Sequence, residues 1–109
     1  MIIDFPNMED GVLKNFKGGE KEMLTRPFVD DAHRIMFNTL PPGASIGFHK
    51  HENTDEVMYF LSGEGKVLMS DTDERVFPGA AHYCPEGASH SLINDGDVPL
   101  VFFAVVTNF

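Results

Sequence analysis

Two histidines and a glutamate in one short segment have the residue types and the spacing to bind a metal ion. His49 and His51 are one residue apart, and Glu56 follows a turn-like Glu-Asn-Thr-Asp sequence. Side chains alternate across a β-strand, so the two imidazoles project from one face, about 7 Å apart along the strand. The turn could return Glu56 from the next strand to the same centre. Taken alone, the segment is more simply interpreted as an exposed histidine pair beside a solvated acid.

The surroundings of these residues favour a buried site. Met58 and Phe60 share the alternation of Glu56 and are expected to form an apolar floor beside it. Such a floor excludes water and strengthens the electrostatics of a metal site. An uncompensated polar group in that position would be costly.

The elements that must position these side chains are short β-like runs separated by turn residues. About nine strands are predicted, and the chain shows no convincing helical periodicity. A short helical turn is considered only for residues 8 to 16. The predicted strands are EMLTRPFV, RIMFNTL, SIGFHKH, EVMYFL, KVLMS, RVF, AHYC, SHSLI and PLVFFAVV. This spacing is typical of an antiparallel sandwich or barrel, so the fold class is all-β.

Composition limits the functional classes. The 109 residues suit a single domain, and the formal charge of −9 disfavours nucleic acid and anionic membranes as partners. No apolar run has the length of a membrane span and the N-terminus does not resemble a signal peptide, so a cytoplasmic location is expected. The single cysteine, Cys84, excludes an internal disulfide framework.

A second segment, Gly79 to Asn94, gives the first one a context. The first segment reads G-x5-H-x-H-x4-E-x6-G over residues 43–63, and the second reads G-x5-P-x-G-x2-H-x3-N over residues 79–94. These are the two signature motifs of the cupin superfamily, and every fixed position is present. The chain therefore resembles a small single-domain metal-binding cupin over residues 1–109, with the motifs covering about half of it.

The resemblance implies a double-stranded β-helix, or jelly-roll barrel. It also implies one divalent transition metal, Mn, Fe, Ni, Co or Zn, held by four side chains. The implied ligands are His49, His51, Glu56 and His90. The motif glycines Gly43, Gly63, Gly79 and Gly87 are expected to supply positive φ at tight turns. Pro85 is expected to fix the loop before His90, and Asn94 to hydrogen-bond its own turn.

Three imidazoles and a carboxylate suit transition metals better than Ca²⁺ or Mg²⁺. Four protein ligands leave open positions on an octahedral ion, which is typical of catalytic sites. The expected function is that of an enzyme acting on a small carboxylate or sugar-derived metabolite that contacts the ion. Isomerase, lyase or decarboxylase, and dioxygenase chemistry all remain open. The alternative is a non-catalytic module that binds a metal or a metabolite.

Other residues are weaker candidates. His82 could act as an acid or base within the barrel, although a packed histidine is the simpler interpretation. Arg34 and Arg26 could hold a substrate carboxylate, although most such arginines form surface ion pairs. Cys84 is interpreted as a core residue and His33 as exposed. Ala80 stands where many cupins have aspartate, which weakens the assignment to any particular subfamily.

The closing run PLVFFAVV is too apolar for one face of an exposed edge strand. Either both of its faces are buried within the barrel or one face meets another subunit. A homodimer is therefore expected.

Overall fold

The computed structural model describes all residues from Met1 to Phe109 and consists almost entirely of β-strands. The all-β prediction is confirmed. The strands are β1 (Gly11–Lys14), β2 (Glu22–Val29), β3 (His33–Leu40), β4 (Ser45–Lys50), β5 (Thr54–Ser62), β6 (Gly65–Met69), β7 (Asp73–Val76), β8 (Ala81–Cys84), β9 (Ser89–Ile93) and β10 (Leu100–Asn108). The helical segments are two 3-10 turns, Phe5–Asn7 and Phe16–Gly18, so no helix could cross a bilayer.

The strands form two antiparallel sheets. One has six strands in the order β1-β2-β3-β10-β5-β8, and the other has four in the order β4-β9-β6-β7. Their inner faces enclose the core, and the chain passes repeatedly from one sheet to the other. This is the jelly-roll arrangement that the two motifs implied. β7 is the last strand of the four-stranded sheet and β8 is the last strand of the six-stranded sheet. The two are not hydrogen-bonded to each other, so the barrel wall has a seam between them.

The core is built from alternating inward-facing side chains. Phe60 on β5 and Phe102 on β10 are fully buried, and their ring centroids lie 5.7 Å apart. Strand β10 is central, paired with β3 on one side and with β5 on the other. The apolar closing run is therefore not an edge strand. Leu100, Phe102 and Ala104 on its inner face are buried, and the outer residues between them are half-buried.

Most predicted strands match the structure within a few residues, and β2, β8 and β9 match at both ends. The helical turn considered for residues 8 to 16 is wrong, because Gly11–Lys14 forms β1 there. This strand was missed by the sequence analysis. It is four residues long, and only Leu13 is even half-buried, so it carries no alternation that could reveal it.

The positive φ expected at the four motif glycines is confirmed, with values from 78° to 90°. Gly63 has a second constraint. A Cβ on Gly63 would lie 2.3 Å from the carbonyl oxygen of Pro99, so backbone packing also excludes a side chain there. Asn94 does more than predicted, since its Nδ2 donates both to Val98 O in its own turn and to Leu40 O across the barrel.

Candidate metal centre

A β-bulge in β4 aims His49 at the barrel interior. Ile46 pairs with Leu92 and His49 pairs with His90, so three steps on β4 oppose two on β9. Ile46 and His49 consequently share the inner face although they are three residues apart. A Cβ on Gly47, within the bulge, would lie 2.0 Å from the carbonyl oxygen of Lys17. A glycine is thus required where the Phe16–Gly18 turn packs on the bulge.

Backbone hydrogen bonds connect the two chain segments that carry His51 and His90. His51 follows β4, and His90 lies on β9 just after the loop that contains Pro85. The His51 amide donates to Ala88 O at 2.9 Å, and the Gly87 amide donates to His51 O at 2.7 Å. These bonds hold the first motif against the second at one end of the barrel.

The structure brings the four predicted side chains together. One ligand atom from each of His49, His51, Glu56 and His90 lies within 4.8 Å of the others. Nε2 of His51 and Nε2 of His90 are 3.0 Å apart. Glu56 Oε1 lies 3.2 Å from the first of these nitrogens and 3.1 Å from the second. Three donor atoms thus form a compact triangle.

Hydrogen bonds turn the other nitrogen of each imidazole away from this centre. His49 Nδ1 donates to Gly47 O at 2.7 Å. Nδ1 of His51 is 2.8 Å from Thr54 Oγ1, and Nδ1 of His90 is 2.9 Å from His82 Nε2. All three rings therefore direct Nε2 toward the carboxylate. Partners of this kind fix the tautomer and ring orientation of metal ligands.

The spacing of the donor atoms matches a divalent transition metal. Two donors that bind one ion at about 2.1 Å lie about 3.0 Å apart at right angles, and about 3.4 Å apart at a tetrahedral angle. The distances of 3.0, 3.1 and 3.2 Å between these three atoms lie within that range. The residues present thus fit one divalent transition metal with mixed nitrogen and oxygen ligands.

The protonation states also suit a cation. Burial alone would raise the pKa of Glu56, but hydrogen bonds from His51 and His90 outweigh it and lower the pKa to about 2. Burial lowers the pKa of His49, against the opposing effect of its bond to Gly47. A carboxylate and a neutral imidazole are the forms that bind metals.

His82 lies behind His90, on the side opposite the carboxylate. It is buried on the inner face of β8, as its alternation with Cys84 indicates, and burial followed by repulsion from His90 lowers its pKa to about 4. Its Nε2 contacts the nitrogen of His90 that faces away from the centre. At this position His82 can orient His90, but it does not face the centre, where it would have to act as an acid or base on a ligand. The sequence analysis missed this contact between His82 and His90.

The other candidate residues named from the sequence have different surroundings in the structure. Arg26 is held by Asp10 and by Phe5 O, so it is a structural residue. Arg34 is exposed and makes no hydrogen bond or ion pair. Cys84 is fully buried, and burial raises the pKa of its thiol to about 11, in agreement with a core role. His33 is half-buried and lies 3.4 Å from Asp30.

Two surface cavities lie away from the four-residue centre. One of about 420 Å³ is lined by residues of the β1–β2 and β3–β4 connections at the opposite end of the barrel. The other, of about 140 Å³, opens at the seam between β7 and β8 and reaches His82. Neither is lined by the four clustered side chains.

Comparison with known proteins agrees with this arrangement. The family model described as the cupin domain matches residues 36–106, which contain both motifs and all four clustered side chains. The chain belongs to the cupin family. A crystal structure from Thermotoga maritima, described as a predicted oxalate decarboxylase, superposes with a TM-score of 0.93 at 30% identity over 100% of both chains.

Two curated cupin relatives have names that mention oxalate. An oxalate-binding protein of Thermotoga maritima is 34% identical over 97% of this chain and 93% of its own length. The oxalate decarboxylase OxdC of Bacillus subtilis is 39% identical over 62% of this chain, but that match spans only 19% of the relative. The full-length similarity is therefore to the binding protein.

Proposed function

We propose that this cupin holds one divalent transition metal through His49, His51, Glu56 and His90 and uses it to bind a small carboxylate. The observation that carries the proposal is the convergence of two Nε2 atoms and one carboxylate oxygen within 3.2 Å of one another. Ligands come from both sheets, so we also propose that residues 1–109 work as one cupin unit.

A bound ion of this kind would act as a Lewis acid that polarises a carboxylate or carbonyl oxygen. The chain's own residues supply the setting. His51 and Glu56 are each 6% exposed, and Met58 and Phe60 beneath them are buried, so water is largely excluded from one side of the centre. The outward hydrogen bonds of the three imidazoles keep Nε2 directed inward before any ion arrives.

Oxalate and similar small dicarboxylates are the ligand class we favour. The supporting comparison is with the oxalate-binding protein, which aligns with nearly the whole chain. Carboxylate oxygens are also good ligands for an ion that keeps open positions beside nitrogen donors.

Enzymatic turnover of such a ligand is the first candidate activity, because an open coordination shell is typical of catalytic sites. Non-catalytic binding is the second candidate. It is favoured by the name of the relative with full-length similarity, which describes binding alone. Fold and ligand set do not distinguish these two activities.

A pair of variants tests the metal site. Elemental analysis of metal-loaded protein is expected to give one divalent ion per chain, and Glu56→Gln is expected to weaken metal affinity at least tenfold, since it removes the only charged donor. Glu52→Gln is the matched control, because Glu52 is an exposed acid nearby. The proposed site would be contradicted if wild-type protein bound no metal after loading, or if the two variants had equal metal affinities.

Calorimetry with oxalate, followed by product analysis with and without oxygen, separates the two candidate activities. Binding with turnover supports the enzyme. Saturable binding without a product under either condition supports the binding module. No binding by metal-replete protein would rule out oxalate as the ligand.

A further inference from the structure

Arg34 is the one arginine of this chain whose charge is not used by the fold. The chain has three arginines. Arg26 bonds Asp10 at 2.8 Å, and Arg75 bonds Asp95 at 2.6 Å. Arg34 has no such partner, although the protein carries more than twice as many acids as bases. Solvation alone accounts for an exposed arginine in most proteins, so its position decides whether it has a further role.

Arg34 lies in a row of inner-face residues that includes a proposed metal ligand. Cross-strand pairing links Arg34 to Val106 and Val106 to Glu56. Arg34 also has the alternation of Met36, Asn38 and Leu40, which are all buried in the barrel. Its Cβ therefore points to the inner face, as that of Glu56 does. Two strand spacings put the Arg34 and Glu56 backbones about 10 Å apart.

The row ends at the open end of the barrel. Arg34 is the second residue of β3, close to the Asp30–Asp31 turn, and its side chain is exposed while Glu56, at the same level, is buried. Only the half-buried Val106 stands between them. A small ligand above Val106 would contact the metal centre on one side and the guanidinium on the other.

We propose that Arg34 is a specificity-determining residue that binds the second carboxylate of a dicarboxylate whose first carboxylate lies at the metal centre. This inference rests on the proposed function. Arginine suits the role because its planar fork binds a carboxylate through two parallel hydrogen bonds.

With the Arg34 charge counted beside the metal centre, charge balance favours a dicarboxylate over a monocarboxylate. A divalent ion with Glu56 and three neutral imidazoles has one unit of positive charge left, which a monocarboxylate neutralises. A dicarboxylate leaves one negative charge over, in a protein whose formal charge is already −9. The Arg34 cation offsets that remaining charge.

Three variants test the role of Arg34. The affinities of metal-loaded protein for oxalate and for acetate are measured by calorimetry, with metal content verified by elemental analysis. Arg34→Gln is expected to weaken oxalate binding at least tenfold while changing acetate binding less than twofold. Arg34→Lys is expected to be intermediate, because it keeps the charge but not the fork. Arg75→Gln is the matched control, since Arg75 is also exposed but is already paired with Asp95.

The outcomes distinguish this proposal from the one on which it rests. If wild type binds oxalate and Arg34→Gln binds it equally well, the role of Arg34 is wrong and the proposed function stands. Equal losses for oxalate and acetate would also overturn the role, because they indicate a general effect on the site. If metal-loaded wild type binds acetate but not oxalate, the role of Arg34 is wrong and metal-dependent carboxylate binding stands. If it binds neither, both proposals fail.

Discussion

At the level of single residues, the arrangement of the four clustered side chains depends on the hydrogen bonds that orient the three imidazoles. The two motifs singled out His49, His51, Glu56 and His90, and the structure brings them together. The partners that orient the imidazoles were not predictable. Gly47 contributes a backbone carbonyl, which any residue type would supply.

The partner of His90 depends on the pairing of separate strands. His82 meets His90 because β8 and β9 belong to different sheets that face each other. Alternation suggested that His82 faces inward, but no local pattern shows which residue it meets across the barrel.

His82 provides a prediction at this scale. His82→Phe removes the acceptor for Nδ1 of His90 while keeping an aromatic ring, and we expect metal affinity to fall about 10- to 100-fold. His82→Gln offers an amide oxygen to the same nitrogen and should lose less. Competition with a chromogenic chelator measures both affinities.

His33→Gln is the control for the His82 variants, because His33 lies outside the cluster. Circular dichroism verifies that each variant is folded. Unchanged metal affinity in folded His82→Phe protein would show that the contact does not orient His90.

At the level of elements, strands with clear alternation were predictable and irregular features were not. The bulge in β4 is an example. The sequence correctly placed His49 and His51 on one face, but strict alternation would put Ile46 on the opposite face from His49. The extra residue near Gly47 corrects this, and it lies where the Phe16–Gly18 turn, distant in sequence, packs on β4.

The outer face of the six-stranded sheet provides a prediction about assembly. Val57, Tyr59 and Tyr83 are between 43% and 56% exposed on that face, and Val105 lies half-buried between β5 and β3. Phe5 packs on Phe37 and Phe103 and covers only part of the face. We propose that a second copy covers the remainder, and expect light scattering at micromolar concentration to give the mass of a dimer.

Tyr59→Glu should shift this assembly toward the monomer, because it places a charge in the centre of the apolar face. Val98→Glu is the control, since Val98 is also about half exposed but lies in the loop before β10, outside the six-stranded sheet. A monomeric wild type, or equal effects of the two variants, would contradict the dimer.

At the level of the whole molecule, the proposed ion would connect the two sheets and so contribute to global stability. We expect a chelator to lower the melting temperature at neutral pH by about 10 °C, if the free ion exceeds its dissociation constant about 100-fold. Differential scanning calorimetry of the metal-loaded and metal-free forms measures the difference. Equal melting temperatures after verified metal removal would contradict a stabilising ion.

Acid should reduce the difference in melting temperature between the metal-loaded and metal-free forms. Metal binding requires neutral imidazoles, so the loaded form loses its ion as the histidines protonate. The metal-free form also weakens, because the lowered pKa values of His49 and His82 mean that the unfolded chain binds more protons. This histidine contribution to the stability of the metal-free form is fully present above about pH 6.5 and is lost as the pH falls toward about 4. The two melting curves should therefore converge between these values.

The position of β10 in the six-stranded sheet has a consequence for how the protein is made. This strand is the last along the chain, yet it lies between β3 and β5 and holds them together. During synthesis on the ribosome, β5 has no permanent neighbour on that side until residues 100–108 emerge. Glu56 therefore reaches its final position only after translation of β10. Until then, the unpaired edges of β3 and β5 are open to pairing with other polypeptides.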